Sequence, residues 1–205
     1  MQKADICAVI LAGGKSSRMG MNKALLDFGG KPLIAVLVDR IRPLTNQILI
    51  SSNDSSCYEF LDLPVIADRF RGHGPLAGLH SAMHWNKCML YMVLACDLPN
   101  LQLPLLRKLA LLAEGYDAAI PRTSDGVAHP LCAVYSRTCL PALEDSLLKG
   151  TNRVLTVLES SLSIRWVDPQ EGQFKDADLA NINTPEDLQR LKGPASLKHK
   201  PKLNM

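Results

Sequence analysis

The sequence predicts an α/β protein: a three-layer α/β/α domain on a mostly parallel sheet, with a small antiparallel excursion in its second half. Three observations carry that prediction. Short apolar runs alternate with segments of helical spacing along most of the chain, the order that builds a parallel sheet covered by helices on both faces. The most apolar run, CMLYMVLAC at 88–96, shows no polar alternation, as a central strand buried on both sides should. The stretch RTSDGVAHPLCAVYS at 122–136 sets an Asp125-Gly126 step between two strand-like pieces, which is a hairpin signal.

The elements follow in order. ICAVILA (6–12) reads as a buried strand. PLIAVLVDRIRPL (32–44) puts Leu33, Ile34, Leu37, Val38 and Ile41 on one helical face, with Pro32 suited to a first turn. QILISSN (47–53) and LPVIAD (63–68) are strands, and PLAGLHSAMHW (75–85) is a helix opened by Pro75. After the central strand, LPLLRKLALLAEG (103–115) is a helix ending at Gly115 as its C-cap, and YDAAIP (116–121) is a strand. CLPALEDSLLKG (139–150) and NRVLTVLESS (152–161) are helical, while LSIRWVD (162–168) and DLANIN (178–183) read as strands. TPEDLQRLKG (184–193) is a short helix with a capping box from Thr184 to Asp187 and Pro185 at its first position.

Composition bounds the setting. At 205 residues, 47% hydrophobic and 21% charged, residues 1–192 form one domain that needs no staples. Residues 193–205 read as a disordered tail rich in lysine. That tail lacks the arginines and interleaved aromatics of a nucleic-acid arm. None of the six cysteines forms a CxxC pair, and several lie inside apolar runs, where thiols act as small hydrophobes. No secretory signal is read in MQKAD. The longest apolar run is about half the length a membrane helix needs. These features point to a cytoplasmic protein that binds neither membrane nor nucleic acid.

In such sheets ligands gather at the carboxyl ends of strands. LAGGKSSRMG (11–20) directly follows the first strand. A Walker A loop is excluded, because Val9 stands where its first glycine belongs; the dinucleotide fingerprint fails because Gly13 and Gly14 are adjacent. What remains still suits a nucleotide. The glycines let backbone N–H groups approach a ligand closely. Arg18 can fork onto phosphate oxygens and Lys23 adds a compact charge, although a glycine turn with solvated cations is the bland reading.

LAGGKSSRMGMNKALL resembles the signature loop of the nucleotidyltransferases, approximately L-A-G-G-x-S-x-R-M-G-x-x-K, met here from Leu11 to Lys23. The resemblance implies a Rossmann-like nucleotidyltransferase sheet and transfer of a nucleoside monophosphate onto a phosphorylated acceptor. LACDLPNL then places Asp97 at the end of the central strand. A carboxylate there can hold Mg²⁺, which keeps several waters and takes other ligands from phosphates, or can simply begin a turn before Pro99. The resemblance implies the magnesium role. A phosphate acceptor is largely ionised at neutral pH, its second pKa being about 6, so no general base is required. The work is alignment and charge neutralisation, which makes Arg18, Lys23 and Asp97 the catalytic candidates.

Later motifs narrow the resemblance. VIADRFRGHGPLAGLHSAM, GVAHPLCAVY, GTNRVLTVLE and LANINTPEDL, in that order, resemble the molybdenum cofactor guanylyltransferases over residues 6 to about 192. This implies Mg²⁺-dependent transfer of GMP from GTP to the phosphate of molybdopterin, with pyrophosphate released. Molybdoenzyme apoproteins or their chaperones are the implied partners. Leu11, Ala12, Gly13, Gly14, Lys23, Ser51, Asn53, Asp68, Gly78 and Asp97 are the nucleotide-binding candidates. His129, Arg153, Asn181 and Asn183 are the acceptor-binding candidates.

Each has a plainer alternative. Gly78 could serve helix packing, Asp68 could be a surface aspartate, and Asn183 could serve only the helix start. His129 could be structural, and Arg153 could face solvent. His80 and His84 have the spacing of paired metal ligands, but no third ligand is evident and zinc is not expected. Two departures from the family pattern stand out: Asn22 where aspartate is common, and Ser51-Ser52-Asn53 where N-x-N is frequent. The second puts base or ribose recognition at that edge in doubt. A cytidylyltransferase for the same cofactor, another small nucleotidyltransferase, and a non-catalytic pterin- or nucleotide-binding module remain alternatives.

Overall fold

In the computed structural model of the chain, the described residues are 5–13, 22–150, 162–182 and 187. Among them seven strands form one sheet: β1 (Ile6–Leu11), β2 (Gln47–Ser51), β3 (Val65–Ile66), β4 (Leu90–Ala95), β5 (Ala118–Pro121), β6 (Cys132–Ser136) and β7 (Ile164–Val167). Their spatial order is β3-β2-β1-β4-β6-β5-β7. β1 pairs in parallel with β2 and with β4, β2 with β3, and β5 with β7. β6 alone is reversed, antiparallel to both β4 and β5. This is the antiparallel excursion that the Asp125-Gly126 step predicts: Gly126 turns at φ +85°, and Thr123 pairs with Val127 across the tip.

Alternation along β1 shows how the layers assemble. Ile6, Ala8 and Ile10 join one core with α1 (Leu33–Ile41) and α3 (Leu103–Leu112). Cys7 and Val9 point to the other core, with α2 (Pro75–Trp85) and α4 (Leu140–Leu148). Period-2 side chains on a strand covered on both faces must all be apolar, and all of these are buried. The five expected positions of α1 are the five it buries, and each such side chain contributes about 1.5–3 kcal/mol relative to exposure. α2 is buried from Leu76 through Met83, because it lies between the sheet and α4. The buried Cys132 thiol is pushed up to about 12 by desolvation, so it behaves as a hydrophobe. No described helix is long and apolar enough to cross a membrane.

Two expectations need correction. The described part of DLANIN, 178–182, is not a strand: Asp176–Leu179 is a 3₁₀ turn, and residues 180–182 carry no strand pairing. Burial falls on Leu179 and Ile182, three residues apart, where a half-buried strand would alternate by two. The third helix stops at Leu112 with Ala113 as its C-cap, and Gly115 at φ +80° turns the chain two residues later. The helix expected at 152–161, most of that expected at 184–193, and the proposed tail lie outside the described residues.

Candidate active site

The carboxyl ends of β2, β1 and β4 form a level platform. Leu11 pairs with Ser51 on one side and Ala95 on the other. Two residues beyond that line stand Gly13, Asn53 and Asp97. The chain leaves β1 for β2 on one side and returns through β4 on the other, so this is the point at which the strand order reverses and a crevice opens.

Three segments distant in sequence meet beside Asp97. Lys23 Nζ lies 3.4 Å from Asp97 Oδ2 and donates to the Ile182 carbonyl at 2.8 Å. The Ile182 N–H in turn donates to the Asp97 carbonyl at 3.0 Å. Ile182 is anchored by packing with Leu26 and Leu33. The strap leading to it is tied by Asn100 Nδ2 donating to Ala177 O and by Ser124 donating to Asp176. Asp97 Oδ1 is buried and has no hydrogen-bond partner among the described residues. An unengaged buried carboxylate oxygen is costly unless a ligand uses it. That oxygen fits a hard divalent cation, which takes oxygen ligands.

The far side of the crevice is built around Asp68. Ser51 Oγ donates to Asp68 Oδ1 and Asn53 Nδ2 to Asp68 Oδ2, both at 3.2 Å, while the Asp68 N–H donates to Asn53 Oδ1 at 3.1 Å. A carboxylate accepts at about four positions, so Asp68 keeps capacity for nucleoside donors. Gly78 lies against this cluster: a Cβ there would stand 2.5 Å from Ser51 Oγ and 2.7 Å from Leu11 Cδ2. Its smallness is thus required by helix packing. At Gly13 a Cβ would meet only Ser51 O at 3.6 Å and Ser52 Cα at 3.8 Å. Gly74, at φ +63° and ψ −152°, caps α2 in a conformation closed to other residues.

Tyr58 ties the start of the glycine loop to its far end. Its hydroxyl donates to the Ala12 carbonyl and accepts from Asn22 Nδ2, both at 2.9 Å. Asn22 Oδ1 accepts from the Ala24 N–H at 3.1 Å. Burial pushes the Tyr58 phenol up, so it remains a donor. On the β4 side, Ala95 N–H donates to Leu131 O at 2.7 Å, which brings the His129-Pro130 loop next to the Asp97 turn. Burial lowers the His129 imidazole, against the pull of Asp125 and Asp176.

The fold therefore brings Leu11, Ala12, Gly13, Ser51, Asn53, Asp68 and Gly78 into one cluster and Lys23 with Asp97 into another beside it. His129 lies on the neighbouring loop, and Asn181 is exposed next to Ile182. Gly14, Arg18, Arg153 and Asn183 lie outside the described residues. Sequence reasoning missed Tyr58, the Ile182 carbonyl and Arg40. Arg40 donates from α1 to Pro99 O at 2.6 Å and Leu101 O at 2.8 Å, pinning the turn after Asp97. Nothing in LVDRI or SSCYEFL marks either side chain, since both act on backbone carbonyls reached only in the fold.

Sheet order, glycine loop and the carboxylate of Asp97 beyond the central strand together define an α/β protein of the nucleotide-handling class. Residues 8–164 match the MobA-like NTP transferase domain. The chain belongs to that family. It is 37% identical over 196 residues to a probable molybdenum cofactor guanylyltransferase of Carboxydothermus hydrogenoformans, covering 95% of this chain and 98% of that one. It is 35% identical to the molybdenum cofactor guanylyltransferase of Yersinia pseudotuberculosis, covering 89% and 93%. Among solved structures, molybdopterin-guanine dinucleotide biosynthesis protein A from Archaeoglobus fulgidus superposes with TM-score 0.77 at 29% identity, covering 90% of this chain and 96% of that one.

Proposed function

We propose that the chain is a molybdenum cofactor guanylyltransferase, transferring GMP from GTP to the terminal phosphate of molybdopterin. A phosphate oxygen of the acceptor attacks the α-phosphorus, the bond to the bridging oxygen breaks, and pyrophosphate leaves. The observation that carries this reading is the meeting of Lys23 with Asp97 at the reversal point of the sheet, with Asp97 Oδ1 buried and without a hydrogen-bond partner among the described residues. Family membership and the names of the relatives support it.

Leu11 to Gly14 line the nucleoside and phosphates, and Asp68 accepts from nucleoside N–H or O–H groups, held in place by Ser51 and Asn53. Lys23 and Arg18 bring positive charge to the triphosphate, where charge grows on the leaving group. Asp97 would hold Mg²⁺ through Oδ1, which accepts no hydrogen bond from the described residues. When bound, the ion neutralises phosphate charge. In this reading His129 and Asn181 contact the acceptor, together with Arg153 and Asn183, which lie outside the described residues. The acceptor phosphate arrives ionised, so the residues need only align it and exclude competing water. A cytoplasmic setting and delivery to molybdoenzyme apoproteins or their chaperones belong to the same reading.

The test is pyrophosphate release with GTP, CTP, ATP and UTP in turn, with molybdopterin and Mg²⁺ each present or withheld. Turnover is expected with GTP and only when both are supplied. Preference for CTP would replace the guanylyl assignment, and no release with any nucleotide would leave a binding module.

A further inference from the structure

On the opposite end of α2 from its glycine cap, the fold assembles a second group of potential ligands. His80 and His84 are one helical turn apart on α2, and α4 brings Glu144 against them. One nitrogen from each imidazole and one carboxylate oxygen lie within 4.8 Å of one another. The two rings are 4.5 Å apart between centroids, and His80 Nε2 stands 3.8 Å from Glu144 Oε1, beyond hydrogen-bond reach.

His80 is the unusual member. It is 1% exposed, yet neither ring nitrogen has a hydrogen-bond partner among the described residues. Phe70 packs edge-on against the ring at 5.1 Å between centroids, which walls off one side. A buried polar group left unsatisfied is unfavourable and rare. A third group, Glu144, faces that nitrogen from across the helix interface.

We propose that His80, His84 and Glu144 bind one divalent transition ion of the zinc type, at a site separate from Asp97. Two imidazoles and a carboxylate suit Zn²⁺, Co²⁺, Ni²⁺ or Cu²⁺, whereas Mg²⁺ favours an all-oxygen shell. Ligands of a tetrahedral zinc at about 2.0–2.1 Å stand about 3.3 Å apart. His84 and Glu144 are both exposed, so rotation of these two side chains closes the remaining distance while His80 stays fixed. Water completes the shell. The ion joins α2 to α4, and α2 is the helix whose Gly78 packs on Leu11 and Ser51. His80 falls within the 65–83 segment that supports the transferase reading, but neither histidine is given a part in that reaction, so the site stands whether or not that reading holds.

The experiment uses the full chain, stripped with chelator, kept reduced and held in excess Mg²⁺ to saturate oxygen sites. Co²⁺ is titrated while the visible spectrum is recorded, and Zn²⁺ affinity is measured against a chromophoric chelator. One equivalent is expected, with a spectrum lacking a thiolate charge-transfer band and abolished by Zn²⁺. Outer-shell partners alone change metal affinity about 10–100-fold, so loss of a ligand in His84→Ala or Glu144→Gln should weaken Zn²⁺ by about 100-fold or more. Zn²⁺ should also shift the imidazole nitrogen resonances of two of the five histidines in the chain. No stoichiometric binding, undiminished affinity in both variants, a thiolate band, or histidine resonances that stay still would each overturn the proposal.

Discussion

Replacing Tyr58 with phenylalanine removes one oxygen and keeps the ring in its buried seat. Two hydrogen bonds are lost at once, to the Ala12 carbonyl and from the Asn22 amide. At about 1 kcal/mol net for each, and with Ala12 and Asn22 only partly screened from water, we expect a loss of about 1–2 kcal/mol. For a chain of this size that is about 2–8 °C in Tm. The same change unties both ends of the glycine loop, so kcat for pyrophosphate release should fall about 10-fold, the equivalent of 1.4 kcal/mol in the barrier. The coupling is more telling than the loss. Because the Tyr58 hydroxyl spends its proton on Ala12, its partner at position 22 must donate, and an ionised Asn22→Asp cannot. That variant still caps Ala24, so its cost arises from Tyr58 alone. In a double-mutant cycle by urea unfolding, Asn22→Asp should cost about 1 kcal/mol beside Tyr58 and little beside Phe, a coupling within the usual range for contacting residues. An equal cost in both backgrounds would refute the tether.

Other outcomes follow from the same geometry. Gly78→Ala gains about 1 kcal/mol of helix propensity but loses about 1–3 kcal/mol to overpacking against Ser51 and Leu11, so it should lower Tm, and Ser51→Ala in the same chain should recover part of the loss. Asp97→Asn should reduce pyrophosphate release about 100-fold or more and leave Tm within a few degrees; retained turnover would move the metal elsewhere. His129 carries its imidazole below the ordinary value of 6.5 because of burial. Below that pH the unfolded chain binds a proton the folded chain refuses, so stability is complete above about 6.5 and falls as pH drops toward the lowered folded value. Urea midpoints measured in chelator from about pH 7.5 to about pH 5.5 should show this slope, and His129→Gln should flatten it, with His80, lowered likewise, leaving a remainder.

The layers were legible because burial on a two-faced sheet leaves a period in the sequence. The five apolar positions of α1 and the unbroken apolar run of β4 each have one structural solution. The position of Asp97 was legible for the same reason: a polar residue that ends such a run must stand just beyond the end of the strand. Ile182 was not. Its role belongs to its backbone, which receives Lys23 and grips Asp97, and backbone groups carry no residue-type signal. DLANIN misled because its two buried residues sit in a turn and a strap, where no ladder enforces alternation. Glu144 was invisible beside His80 and His84, since 60 residues separate it from the nearer histidine and only the docking of α4 on α2 joins them.

The Ser51-Ser52-Asn53 departure has a different meaning in the fold than in the sequence. A serine where an amide is frequent looks like a lost recognition group. In the structure Ser51 Oγ is occupied with Asp68, and the same oxygen marks the limit of approach for α2 at Gly78. A larger side chain at position 51 would have to share that space with the helix backbone. The small residue and the glycine are therefore matched, and together they let α2 lie close over Leu11. The hydroxyl aims Asp68 and Asn53 secures its other oxygen, which leaves that carboxylate further acceptor capacity. Under the proposed function, Asp68 would be the nucleoside acceptor at this edge with Ser51 acting through it, so Ser51→Ala should raise KM for the nucleotide more than it lowers kcat.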